Sequence, residues 1–201
     1  MTPALAMIVF LIGAVIWFVI RIPARRRARK AAVKSSARGL RETILMAISL
    51  TGLGIIPLAY IASQFESTRL RFLSFADYPF VPALAWLGVL VFAASLWLFY
   101  RTHKDLGRNW SVSLDIRESH KLITGGVYAL VRHPMYSAFW LWAIAQALLL
   151  PNWVAGFAGI VGFGTLFFGR VGEEERLMCD AFGEEYRAYM RRTSRVLPGL
   201  Y

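Results

Sequence analysis

This chain has little with which to bind a metal. It holds one cysteine, Cys179, and three histidines, His103, His120 and His133, in 201 residues. A lone cysteine excludes an internal disulfide and a thiolate cage, and the histidines show no metal-ligand spacing. Acid is scarce as well, with 12 Asp and Glu against 23 Lys and Arg, a net charge of +11. Charged residues make up 17% of the chain, where soluble domains carry about 25%. What replaces them is apolar: 57% of residues are hydrophobic and the mean hydropathy is +0.50. The excess sits in discrete blocks, the pattern of a membrane protein. In that setting basic loops are the expected topological signal and attract anionic lipid, so the positive charge does not argue for a nucleic-acid partner.

Five apolar blocks stand out: Ala4–Ile20, Thr43–Ala62, Val81–Tyr100, Met135–Leu150 and Trp153–Gly169. Crossing the hydrocarbon core takes about 17–25 helical residues. The first three blocks fit well; the last two lie near the short limit and are joined only by Pro151-Asn152, room for a tight helical hairpin. The first block lacks a basic n-region and an Ala-x-Ala-like site, so it reads as a retained helix rather than a cleaved signal. The predicted architecture is all-α and integral to the membrane: a single domain over 1–201 with five transmembrane helices, a loop over 101–134 and a C-terminal helix over 172–192.

Orientation follows from the loops. Arg21 to Arg41 contains nine Lys or Arg and no acid, and the segment 101–134 is basic again. The positive-inside rule then sets the N-terminus outside and both basic segments in the cytoplasm, with the loop 21–41 against anionic headgroups.

Two polar clusters flank adjacent apolar blocks on that side. The first is Gly125-Gly126-Val127-Tyr128 leading to Arg132-His133-Pro134-Met135-Tyr136. Ionisable groups near membrane depth are costly to desolvate, which makes them candidates for function. Pro134 suits the first turn of a helix, with His133 at the cap and free N–H groups available to a carboxylate or a polar ligand edge. The second cluster is Arg170 followed by Glu173-Glu174-Glu175, read as the acidic first turn of the C-terminal helix. An Arg there can hold an anion bidentately and a Glu can pair with a cationic ligand. Each cluster alone also suits an interfacial anchor or a dipole-compensating turn; their shared side of the membrane favours one joint site. Gly183 interrupts the C-terminal helix, and Pro198-Gly199 ends the ordered chain.

The ordered set Gly-Val-Tyr-x-x-x-Arg-His-Pro-x-Tyr at Gly126–Tyr136, His-x-Leu-Ile at His120–Ile123, and Glu-Glu-Glu followed by Phe-Gly-Glu-Glu-Tyr at Glu173–Tyr186 resembles the isoprenylcysteine carboxyl methyltransferase family. The wider group includes the phospholipid N-methyltransferases. The resemblance covers roughly Arg101 to Pro198, and the five-block plan is similar to compact prokaryotic members, which implies an inner-membrane location. It implies S-adenosyl-L-methionine as cofactor without a Rossmann domain, and no strand followed by Gly-x-Gly occurs in the chain. By that resemblance His120, Lys121, Leu122, Ile123, Tyr128, His133, Pro134, Met135 and Tyr136 line a cytoplasmic cofactor pocket, and Glu174 closes it. Arg170 faces the substrate, Arg101 occupies another basic position of the family, and the acceptor is lipidic, entering from the bilayer. The residues leave three other readings open: an amine-lipid N-methyltransferase, a sterol-type NADPH reductase and a non-enzymatic lipid-binding protein. No obligate protein partner is implied.

Overall fold

The structure, a computed structural model, describes residues 1–28, 35–36, 39–65, 73–107, 115–116 and 122–200. Helices dominate them. In chain order they are α1 (Pro3–Ala28), α2 (Leu40–Leu50), α3 (Ile56–Phe65), α4 (Pro82–Leu106), α5 (Pro134–Leu149), α6 (Trp153–Phe182) and α7 (Glu184–Arg192). A π-helical turn, Thr51–Ile55, fuses α2 to α3. A two-residue antiparallel ladder pairs Ser35-Ser36 with Asp115-Ile116.

Among the described residues, four helical stretches are long and apolar enough to cross a membrane: Pro3–Pro23, Leu40–Gln64, Pro82–Leu106 and Trp153–Phe182. The protein is an integral-membrane helical bundle. The fourth expected block appears as α5, whose 16 residues extend about 24 Å at the helical rise, less than the ~30 Å hydrocarbon core.

One expectation needs correcting. The acidic triplet does not open a separate C-terminal helix, because α6 runs without a break from Trp153 to Phe182. Gly169 and Gly172 are carried inside it, and the Leu45 side chain of α2 packs where a Cβ on Gly169 would lie. Packing against α2 offsets the poor helix propensity of glycine. The real break is Gly183, which caps α6 at φ +55° before α7 begins.

The core is aromatic where α1, α4 and α5 meet. Phe10 stacks on Phe92 with centroids 5.6 Å apart, and Trp142 meets Phe92 edge-on at 4.8 Å. Gly13 leaves room for the Phe92 ring, 2.0 Å from where a Cβ would stand. Small residues also let α6 approach the π turn closely. Gly52 and Gly162 pack backbone to backbone, a Cβ on Gly52 falling 2.2 Å from the Ala158 carbonyl oxygen, the close-approach mode of membrane helices. Fully buried Gln146 secures the turn by donating to the Gly52 carbonyl at 3.0 Å and the Ala155 carbonyl at 2.7 Å.

The far end of α6 is closed by a satisfied polar plug. Asn152 caps α6 by accepting from the Val154 and Ala155 N–H groups, and its amide donates to the Leu73 carbonyl and to Asp77 Oδ1. The Tyr60 hydroxyl donates to the same Asp77 oxygen at 2.9 Å. With that end anchored, the last three turns of α6 present their charges at the other end of the bundle.

Candidate functional site

Helical geometry distributes the three consecutive glutamates. Each residue turns about 100° around the axis, so Glu173, Glu174 and Glu175 face three different neighbours. Glu173 pairs with Arg41 of α2 at 3.2 Å. Glu174 accepts a hydrogen bond from the Tyr136 hydroxyl of α5. Glu175 turns inward and is 5% exposed at its side chain.

Glu175 is the hub of a buried ionic network. Its Oε1 accepts from Arg132 Nε at 3.0 Å and Nη2 at 2.9 Å, and from Arg195 Nε at 3.1 Å. Its Oε2 accepts from Arg195 Nη2 at 2.6 Å. His133 Nε2 stands 3.3 Å from Oε1. Arg132 also donates to the carbonyls of Met190 and Thr193. The tail thereby becomes a strap across the start of α5: Arg132 N–H donates to the Ser194 carbonyl at 2.8 Å, and His133 N–H to the Arg195 carbonyl at 2.9 Å. The Ser137 hydroxyl donates to the Val196 carbonyl at 2.6 Å. His133 caps α5 with Pro134 in the first turn, as expected, but its own N–H is taken by the strap.

Beside this hub lies a second, looser set. Arg170 and Glu174 sit one turn apart on α6, with Arg170 Nε 3.9 Å from Glu174 Oε2. Arg170 Nη1 lies 3.5 Å from Glu42 Oε1 and 3.7 Å from the Met46 sulfur, both on α2. The Tyr136 ring stacks on His133 with centroids 5.4 Å apart and meets Phe167 edge-on. A carboxylate, a guanidinium and a phenol thus converge from α5 and α6 at one end of the bundle, with α2 alongside.

The Gly125-Gly126 turn is pinned from α4. Asp105 Oδ2 accepts the Val127 N–H at 3.0 Å, and Gly126 adopts φ +63° with the Asp105 carboxylate where a Cβ would be. The turn leads into a 3-10 segment, Gly126–Ala129, carrying Tyr128. The Tyr189 hydroxyl of α7 donates to the Tyr128 carbonyl. Burial raises the pKa of Tyr128, and the nearby Glu174 carboxylate raises it further. Burial likewise pushes Tyr189 up to about 12, against opposing pulls from Arg132 and Arg192. Both phenols stay neutral donors at ordinary pH.

The structure brings Tyr128, His133, Pro134, Tyr136, Arg170 and Glu174 into one neighbourhood, with Met135 half-buried in the first turn of α5. Leu122 and Ile123 are half-buried in irregular chain before the turn. Arg101 ion-pairs with Asp105 at 3.5 Å, so its tie to the site runs through the turn that Asp105 holds. His120 and Lys121, and residues 29–34 and 37–38 of the basic loop, lie outside the described residues. Sequence reasoning missed Glu42, Asp105, Glu175 as a hub, and Arg195. Only Glu42 carried a signal: an acid in the first turn of an apolar helix that follows a purely basic stretch.

Fold and site together define the class: a helical membrane protein with a cluster of ionisable groups at one end of the bundle, on α2, α5, α6 and the tail. Comparison with known proteins is more specific. Residues 85–180 match the model of the isoprenylcysteine carboxyl methyltransferase (ICMT) family. It is 35% identical over 94 residues to protein-S-isoprenylcysteine O-methyltransferase B of Arabidopsis thaliana, covering 46% of this chain and 48% of that protein. It is 36% identical over 90 residues to the human protein-S-isoprenylcysteine O-methyltransferase, covering 45% and 32%. The Dictyostelium discoideum protein of the same name is 26% identical over 125 residues, 59% of this chain and 51% of that one. The chain spans about half the length, or less, of the curated relatives it matches.

Proposed function

We propose that the protein is an S-adenosyl-L-methionine-dependent methyltransferase that esterifies a carboxylate of a lipidic, isoprenylcysteine-type acceptor at the cytoplasmic membrane face. The observation that carries the reading is the meeting of Tyr136, Glu174 and Arg170 within the segment matched to the ICMT family. The topology that goes with it has five crossings, α5 being the short fifth, with the N-terminus outside and the site inside.

The residues present fit the cofactor. A sulfonium is a cation flanked by an amino-acid tail, and Glu174 with the ring faces of Tyr128 and Tyr136 offers a carboxylate and aromatic surface to it. Leu122, Ile123, His133, Pro134 and Met135 would complete the pocket, and the family resemblance adds His120 and Lys121. The cofactor supplies an electrophilic methyl group on that sulfur. An acceptor carboxylate is already a nucleophile, so the chain needs no general base. Arg170 orients the carboxylate, and Tyr136 holds Glu174 in place. Alignment of the two reactants is what the site contributes, an effect worth roughly 7–11 kcal/mol when complete. Products are a methyl ester and a neutral thioether, so the positive charge leaves the sulfur and the acceptor's negative charge is lost.

The test is transfer of labelled methyl from S-adenosyl-L-methionine in detergent, with an S-prenylated cysteine and an amine phospholipid as rival acceptors. Label in the prenylcysteine as a base-labile ester is the expected result. Label only in the phospholipid establishes an N-methyltransferase instead. Binding of NADPH without S-adenosyl-L-methionine establishes the reductase reading. In Tyr136→Ala and Glu174→Ala, cofactor binding is expected to fall at least tenfold; unchanged binding in both removes these residues from the pocket.

A further inference from the structure

Arg170 is held by a carboxylate on α2 that no sequence motif pointed to. Its side chain is 12% exposed, that of Glu42 is 14% exposed, and the closest approach between them is 3.5 Å. A guanidinium this far from water needs an anionic neighbour, since an uncompensated buried charge is strongly unfavourable. Two carboxylates face it, and they are not equivalent. Glu174 Oε2 is committed to the Tyr136 hydroxyl and lies 3.9 Å from Arg170 Nε. Glu42 approaches Nη1, while its second oxygen is buried with no hydrogen-bond partner.

That geometry is well short of the bidentate fork a guanidinium forms with a freely placed carboxylate, at about 2.7–2.9 Å for each bond. Glu42 cannot adjust far, because it leaves the backbone in the first turn of α2. That helix is itself fixed by Arg41, which pairs with Glu173 and donates to the Gly169 carbonyl at 2.8 Å. An incoming carboxylate has no such tether. The displaced Glu42 would still lie at the start of a helix, where a negative charge is favoured.

We infer that Glu42 is a built-in surrogate for the acceptor carboxylate: it neutralises Arg170 in the empty site, and the acceptor displaces it on binding. This rests on the methyltransferase reading for the identity of the acceptor, but not on turnover. Glu42 thereby sets acceptor affinity and selects for an anion able to make a better fork than its own. An acceptor lacking the negative charge has nothing with which to displace it.

The experiment measures equilibrium binding of an S-prenylated N-acetylcysteine, and of its carboxamide analogue, to the purified protein in detergent. Wild type is compared with Glu42→Gln, Glu42→Asp and Arg41→Gln. In Glu42→Gln the competing charge is gone, and the Kd of the carboxylate is expected to fall by about tenfold, the scale of one strengthened charge-assisted contact. Glu42→Asp withdraws the carboxylate by one methylene and should fall in between, which also covers the case of a poorly folding Gln variant. The carboxamide should bind alike in all four proteins. Arg41→Gln, which loosens α2 but keeps the Glu42 charge, should shift the carboxylate Kd by less than Glu42→Gln does. An unchanged or weaker carboxylate Kd in Glu42→Gln overturns the inference, as does an equal gain for the carboxamide. Wild type that binds the carboxylate but transfers no methyl refutes the reaction instead, and the Kd comparison still decides the role of Glu42.

Discussion

Replacing Glu175 by Gln changes one oxygen for nitrogen at the centre of the most buried charge network in the site. The side chain keeps its volume, so the change isolates charge from packing. In the native protein the carboxylate is 5% exposed and accepts five hydrogen-bonding contacts from Arg132 and Arg195 and from the His133 ring. The substituted amide could accept through one oxygen only, and its nitrogen would point N–H donors at guanidinium N–H groups. Breaking a buried pair from one side costs about 3–5 kcal/mol. Arg132 keeps two carbonyl acceptors, Met190 and Thr193, and the Arg195 side chain is 24% exposed, so the lower end of that range applies. For a chain of this size 1 kcal/mol moves the melting midpoint by roughly 2–4 °C, which makes the expected loss about 6–12 °C. Thermal unfolding in detergent, followed by the fluorescence of the seven tryptophans, reads it directly. Glu174→Gln is the internal control. Its side chain is 28% exposed, so it should melt within about 4 °C of wild type while losing cofactor affinity. The reasoning is refuted if Glu175→Gln melts within about 3 °C of wild type by the same scale, or if Glu174→Gln is the less stable of the two.

Two further outcomes test the helix contact and the titration of the site. Gly52→Ala places a methyl 2.2 Å from the Ala158 carbonyl oxygen and 3.1 Å from the Gly162 Cα. It should cost about 1–3 kcal/mol or more, because backbone cannot yield as a side chain does; Gly54→Ala, whose nearest neighbour is a leucine methyl at 3.7 Å, should be neutral or stabilising, and equal melting points would disprove the close crossing. Alkaline titration should destabilise the fold: the Tyr189 phenol ionises near 10 when exposed and is pushed up to about 12 when folded, so the folded state holds the extra proton. Its contribution is complete below about pH 10 and lost between about pH 10 and 12, with a slope of at most ~1.4 kcal/mol per pH unit. Tyr189→Phe should flatten the denaturant midpoint across that window, and an unchanged slope would show that the buried phenol is not what titrates.

What the linear chain determined by itself is whatever depends on local composition and spacing. Apolar runs of about 17 residues or more dictate membrane helices, because the bilayer leaves backbone groups no other partner. Pro134 places the start of α5, since a residue with fixed φ and no N–H suits a first turn. The joining of Arg170, Glu174 and Tyr136 was legible too, because two charged clusters flanked neighbouring apolar blocks. Tertiary structure decided the rest, where the cause is a contact rather than a propensity. Gly169 and Gly172 read as a helix end until α2 packs against Gly169 and α6 continues to Phe182. The three glutamates are chemically identical in sequence. Only the turn of about 100° between them, and the positions of Arg41, Tyr136 and Arg132, make one a surface pair, one the acceptor of the Tyr136 hydroxyl and one a buried hub. Glu42 and Arg170 are 128 residues apart, and no pattern in a single chain announces a pairing that only the packing of α2 on α6 creates.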